Sequence, residues 1–320
     1  MALIPSAYRP PWPFKNGHIS TIYSALVRKP PPVVFQRERL ELPDGDFLDL
    51  DWAGPENKPM RILILLHGLE GNARRPYMQG SAALFAAAGY RVCSVNFRGC
   101  SGEPNRLYRS YHSGATEDLK EVVRYLAGKF PGVPLFLKGF SLGGNLTLKF
   151  LGEGNPEAAY IRGAVAVSVP VQLRDSLEQL NKANNALYAR RFLVNLKDKL
   201  KQKNKRFPER ISLAEIGQIK TLKDFDDRYT SVAHGFRDAL DYYRQCSALQ
   251  FLDGITTPSL LLNARNDSFL GPECYPRERC EAHPYLSLEM PEYGGHVGFY
   301  TRDNRYYNEL RAVEFLEGLS

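Results

Sequence analysis

The chain reads as an α/β fold: a mostly parallel, doubly wound sheet with helices on both faces and a helical lid inserted between two late strands. Three observations predict it. Residues 61–66 read Arg-Ile-Leu-Ile-Leu-Leu, a nearly unbroken apolar run of the kind found in strands covered on both faces. Similar runs recur and alternate with stretches of helical spacing, which calls for crossover connections and hence parallel neighbours. After Pro170 the alternation lapses over residues 171–230 and then resumes.

The elements follow in order. Residues 33–42 and 47–52 are β-prone and flank the turn signal Pro43-Asp-Gly-Asp46, which predicts an antiparallel hairpin. The apolar strand 61–66 ends at His67-Gly68, and a helix over 77–88 stops at Gly89. Next come a strand at 90–97, a helix at 116–127, a strand at 134–138, a helix opening after Ser141 and a strand at 163–169. Residues 175–207 read as one long, polar, basic helix, with a second helical patch at 213–219. The regular pattern returns with a helix at 235–246, strands at 258–263 and 286–290, and a closing helix at 304–316. This divides the chain into residues 1–170 and 231–320 as the two parts of one core, with 171–230 as the lid.

Composition narrows the class. A 320-residue chain that is 43% hydrophobic can bury one substantial core, and 12% aromatic residues exclude a disordered chain. Cys93, Cys100, Cys246, Cys274 and Cys280 are odd in number and scattered, which disfavours both a disulfide framework and a zinc site. The first residues hold several prolines and no continuous apolar run, so neither a signal peptide nor a membrane anchor is expected, and a cytoplasmic location is the default. The formal charge of +7 is uneven. Lys197, Lys199, Lys201, Lys203, Lys205 and Arg206 face a single Asp198, a run that reads either as a solvated lid face or as a weak contact for an anionic membrane. Nucleic acid is not expected as a partner.

The chemistry is carried by Gly139-Phe-Ser-Leu-Gly143, a G-x-S-x-G sequence placed after a predicted strand and before a predicted helix. Such a turn strains the serine backbone and exposes its hydroxyl at the carboxyl edge of the sheet, which requires glycine on either side. An ordinary capping serine is the bland alternative. Ser141 as nucleophile needs a base, and among His234, His283 and His296 only His296 follows the last predicted strand in a glycine-flanked loop. Asp267, directly after the strand 258–263, is the expected carboxylate to orient that histidine, although an aspartate there can also simply end a strand. Asp226 and Asp227 are the alternatives. The oxyanion donors expected are the amides of Leu142 and, from His67-Gly-Leu-Glu-Gly71, of Leu69, with His67 shaping the loop.

Several stretches resemble the YheT-like branch of the α/β-hydrolase fold: Asn16-Gly-His-Ile-Ser-Thr-Ile22, His67-Gly-Leu-Glu-Gly71, Asn96-Phe-Arg-Gly-Cys-Ser-Gly102, Tyr111-His-Ser-Gly114, Gly139-Phe-Ser-Leu-Gly-Gly-Asn145 and Phe225-Asp-Asp-Arg-Tyr229. The resemblance spans nearly the whole chain. It implies a carboxylic-ester hydrolase of the esterase or lipase type, acting on short- to medium-chain acyl groups through the same serine, aspartate and histidine. An alcohol acyltransferase using the same acyl-serine, and a ligand-binding protein that has kept the scaffold without catalysis, are the other readings. No metal or organic cofactor is expected.

Overall fold

The structure, a computed structural model, describes residues 3–56 and 59–319. Its centre is a nine-stranded sheet: β1 (Leu3–Ile4), β2 (Gln36–Glu41), β3 (Phe47–Ala53), β4 (Ile62–Leu66), β5 (Arg91–Asn96), β6 (Leu135–Phe140), β7 (Ile161–Val167), β8 (Ser259–Leu262) and β9 (Leu286–Glu289), in the order β1-β9-β8-β7-β6-β4-β5-β3-β2. The predicted hairpin is β2 and β3, antiparallel to each other, and β3 is also antiparallel to β5. Every other pair is parallel.

Alternation along β4 explains why that strand is apolar throughout. Ile62, Ile64 and Leu66 point into a core formed with Val122, Leu126 and Leu148, whereas Leu63 and Leu65 point into a second core with Met78, Phe85 and Leu316. The helices that supply these faces are α2 (Pro76–Ala87), α3 (Thr116–Lys129), α4 (Leu142–Gly152) and α12 (Tyr307–Glu317), with α1 (Gly17–Ile22) near the start and α11 (Arg277–Ala282) before β9.

Between β7 and β8 lie α5 (Leu173–Leu180), α6 (Ala186–Arg206), α7 (Leu213–Gln218), α8 (Leu222–Phe225), α9 (Ser231–His234) and α10 (Ala239–Cys246). This insertion has an apolar centre of its own, with Leu196, Leu200, Ile216 and Phe225 among its members. The single helix expected over 175–207 is two, α5 and α6. The break falls where Asn185 turns inward and donates through Nδ2 to the carbonyls of Gln179 and Ser268, at 3.0 and 2.6 Å. A side-chain amide that satisfies non-helical carbonyls stabilises the interruption. The helix expected from residue 235 starts instead at Ala239, because Gly235 is left-handed and the Asp238 carboxylate caps the amide of Asp241 at 2.8 Å. Strand β1, too short to carry a pattern, was not anticipated.

The basic run is not one solvated face, which corrects that expectation. Lys199 points inward to pair with Glu70 at 2.9 Å, and buried Lys203 donates to Asn105 Oδ1 at 2.6 Å. Lys197 caps the Ile219 carbonyl at 2.9 Å, and Arg206 holds the carbonyls of Asn105 and Arg106. Lys201 and Lys205 are exposed. A helical repeat distributes consecutive alternate lysines around the axis, so their count says nothing about a common surface. Among the described residues, no helix is long and apolar enough to cross a membrane.

The contact that positions the site is backbone against backbone. A β-carbon added at Gly143 would lie 2.6 Å from the carbonyl oxygens of both Leu66 and His67, and one at Gly139 would lie 2.2 Å from the Gly143 carbonyl. Gly143→Ala therefore has to push α4 away from the end of β4. We expect it to cost about 1–3 kcal/mol of stability, read as a lowered urea midpoint; an unchanged midpoint would show that this approach is not required.

Candidate active site

Ser141 sits between β6 and α4 with φ 52° and ψ −117°, a left-handed backbone that a side chain tolerates only under constraint. The constraint is visible on both sides. Its amide donates to the Val167 carbonyl at 2.8 Å, its carbonyl accepts from Asn145 at 3.0 Å, and a β-carbon at Gly68 would come within 3.2 Å of the serine's own. The strain places Oγ at the carboxyl end of the central strands, where the loops after β4, β8 and β9 converge.

Those loops bring the expected partners to it. His296 Nε2 lies 3.0 Å from Ser141 Oγ, and His296 Nδ1 lies 2.8 Å from Asp267 Oδ2. A carboxylate only accepts, so Nδ1 carries the proton and Nε2 offers its lone pair to the serine hydroxyl. Asp267 is fully buried, and its Oδ1 accepts from the Phe269 amide at 3.0 Å. The Phe269 ring stacks on the imidazole with centroids 4.2 Å apart, so the histidine has one face closed.

The histidine loop is strained as well: Gly294, Gly295 and Val297 all have positive φ. Two hydrogen bonds pin it. The His296 amide donates to Thr21 Oγ1 at 2.8 Å, and the Val297 amide donates to Ser168 Oγ at 2.9 Å. Neither Thr21 nor Ser168 was singled out from sequence as a functional residue. The stretch Asn16 to Ile22 carried the signal, since α1 packs here through glycines: a β-carbon at Gly17 would lie 2.4 Å from the Asn266 carbonyl, and one at Gly295 would lie 2.2 Å from the Gly17 carbonyl.

Leu69 and Leu142 line the same cavity as Ser141 and His296. The loop that carries Leu69 is fixed from both neighbours, because the Gly68 amide donates to the Tyr77 hydroxyl at 3.0 Å and the Glu70 amide to the Tyr111 hydroxyl at 2.8 Å. His67 shapes this loop from within. Its Nδ1 donates to the Gly68 carbonyl at 2.7 Å, its Nε2 accepts from the Phe97 amide at 3.1 Å, and burial pushes its pKa down to about 3, so it stays neutral.

The other candidates are bonded to other partners. His283 Nδ1 accepts from the amides of Tyr285 and Leu286, and His234 packs at a tilt against His112 at the end of α9. Asp226 is bound by Tyr243 and Thr230, and Asp227 accepts from the Ala239 amide at 2.7 Å.

Two cavities meet at Ser141. One runs under the insertion and is walled by apolar side chains such as Leu173, Leu177, Leu196, Leu200 and Phe225. The other opens beside α1, between Ile22, Leu26, Tyr77, Tyr188 and Arg191. Ser141, His296, Leu69 and Phe269 belong to both.

A parallel sheet ending in a strained serine turn, with a histidine and an aspartate delivered by the two loops that follow later strands, defines a class. The chain belongs to the α/β-hydrolase family: the model of the alpha/beta hydrolase fold matches residues 61–303. Within it the chain falls in the YheT-like branch. It is 38% identical over 293 residues to YheT of Escherichia coli (strain K12), named as an esterase, with 89% of this chain and 85% of that protein covered. It is 31% identical over 287 residues to the phospholipase ABHD3 of Mus musculus, covering 87% of this chain and 70% of the relative. Among solved structures, the Pyrococcus furiosus esterase Pf2001 superposes with a TM-score of 0.58 at 18% identity over 91% of this chain and 99% of the other, a likeness of fold.

If Thr21 holds the histidine loop, Thr21→Val should leave the imidazole less well aimed. We expect a fluorophosphonate probe to label Ser141 about tenfold more slowly, the scale of one lost hydrogen bond, with the thermal midpoint little changed. Labelling at the wild-type rate would remove Thr21 from the site.

Proposed function

We propose that the protein is a serine-dependent carboxylic-ester hydrolase acting on short- to medium-chain acyl esters through an acyl-serine intermediate. The observation that carries this reading is the unbroken relay from Asp267 to His296 to Ser141, at 2.8 and 3.0 Å, at the junction of two cavities. The names of the relatives, an esterase and a phospholipase, fit the same chemistry.

In the proposed reaction, Ser141 Oγ attacks the ester carbonyl while its proton passes to His296 Nε2. The imidazolium that forms is stabilised by buried Asp267, which does not itself take the proton. The carbonyl oxygen becomes an oxyanion held by the amides of Leu69 and Leu142, each such donor being worth about 3 kcal/mol in a water-poor site. Collapse of the intermediate breaks the carbon–oxygen bond of the alcohol, which leaves with the proton from His296. Water then attacks the acyl carbonyl while its proton passes to the same nitrogen, and collapse of the second intermediate breaks the bond to Ser141 Oγ, releases the acid and returns the proton from His296 to Oγ. Two cavities suit such a substrate. The apolar one takes the acyl chain, with burial worth about 0.8 kcal/mol per methylene, and the one beside α1 takes the alcohol.

Ser141→Ala should lower kcat for a 4-nitrophenyl ester by at least about 10⁴-fold without loss of fold by circular dichroism; near-wild-type turnover would sink the proposal. Asp267→Asn should reduce kcat to a similar degree, about 10⁴-fold, because an amide can donate to Nδ1 and favour the wrong tautomer. A loss of only a fewfold in that variant would assign Asp267 a structural role.

A further inference from the structure

The apolar cavity under the insertion has a polar end. Asp226 lines it together with Thr230, Tyr242, Tyr243, His112 and Ser113, while Ser141 and His296 line the same cavity. The Asp226 carboxylate accepts from Thr230 Oγ1 at 2.7 Å and from the Tyr243 hydroxyl at 2.6 Å. Among the described residues no ion pair reaches it, and Lys223 in the preceding turn pairs with Asp227 instead. Burial pushes its pKa up to about 6.

Such a group is costly. An ionised carboxyl withdrawn from water loses several kcal/mol of hydration unless its lone pairs are filled, and a carboxylate has about four acceptor sites, of which two are filled here. A saturated acyl chain that filled this cavity would press methylene groups against the remaining sites. The surroundings limit what fits better. Lys203, held by Asn105, lines the same cavity and stays largely charged near neutral pH, with its pKa lowered to about 8 by burial, so a chain carrying an ammonium would have a like charge elsewhere on the cavity wall. A second carboxylate would meet Asp226 itself. An uncharged hydrogen-bond donor meets neither objection.

We infer that this end of the cavity is a subsite for a hydroxyl group on the acyl chain, with Asp226 accepting its hydrogen bond, so that hydroxyacyl esters are preferred over unsubstituted ones. The inference rests on the proposed esterase reading for the ester but not for the subsite, which can be tested by binding alone.

The experiment pairs 4-nitrophenyl esters of roughly C6 to C12 acids, unsubstituted or hydroxylated at successive carbons toward the far end, and measures kcat/KM for each with the wild-type protein and with Asp226→Asn. A wholly apolar pocket would penalise the hydroxyl by about a hundredfold. The expected result is a hydroxy-to-plain ratio of one or more at some chain length and position in the wild type, falling about tenfold in Asp226→Asn. A hydroxyl disfavoured at every length and position, or a ratio that is the same in the two proteins, would overturn the inference. Should the variant fail to fold, the wild-type ratio decides. In parallel, inactive Ser141→Ala is loaded with a fluorescent fatty acid, which hydroxy and plain fatty acids are made to displace. Stronger displacement by a hydroxy acid than by its plain counterpart supports the subsite even if no ester is turned over, an outcome that would sink only the esterase reading. Ester turnover with no hydroxyl preference in either assay would sink only the subsite.

Discussion

Everything at the site depends on how closely the turn before α4 can approach the end of β4. At Gly139 and Gly143 a β-carbon would fall 2.2 to 2.6 Å from backbone carbonyl atoms, and at Gly68 one would fall 3.2 Å from the serine's own β-carbon. That missing volume lets helix, strand and loop close on one point and hold Ser141 in a backbone state it would not adopt alone. The cost is local and is offset by the two buried cores on either side of the sheet, which fix β4, β6 and β7 in register. A less well-supported sheet could not store strain at this position.

The histidine is held by a different device. Its loop has little regular structure, and its position comes from the N-terminal segment, which runs back across the carboxyl end of the sheet. Strand β1 pairs with β9, Tyr8 donates to the Tyr300 carbonyl at 2.8 Å, and the Asn266 side chain reaches the Lys15 carbonyl at 2.9 Å. Thr21 then receives the His296 amide. The hydrogen-bonded series of residues 141, 267 and 296 is thus braced by the first two dozen residues, so the order of these three groups in the chain hides the part that aims them.

The resembling stretches divide by role. Gly139 to Asn145 and His67 to Gly71 build the site itself. Asn96 to Gly102 is largely architectural: Asn96 bridges the Asp49 carbonyl and the Ala73 amide, and buried Arg98 pairs with Asp44, Asp46 and Asp118. Asn145 likewise ties the carbonyls of Ser113 and Cys246 together. Phe225 to Tyr229 packs inside the insertion: Phe225 belongs to its apolar centre, Tyr229 donates to the Tyr108 carbonyl at 2.6 Å, and the Asp226 carboxylate accepts from Thr230 and Tyr243 rather than from His296. Motif spacing shows that a residue type is needed, and only the surroundings show for what.

Read by itself, the sequence determined the strand and helix order, because an apolar run of five or six residues and a 3.6-residue repeat are local consequences of what each face touches. It also singled out Ser141, His296 and Asp267, which the structure brings into one hydrogen-bonded series, since each follows a strand and so has its edge of the sheet set by topology. Tertiary structure alone decided the rest. The split between α5 and α6 depends on Asn185 finding the Ser268 carbonyl, 83 residues away, as well as the nearby carbonyl of Gln179, and β1 exists only because β9 offers an open edge. The basic run divides into inward and outward lysines because partners such as Glu70 and Asn105 lie about a hundred residues away. Contacts between chain segments that never neighbour each other leave no period in the sequence, and it is those contacts that aim the histidine and shape the cavity.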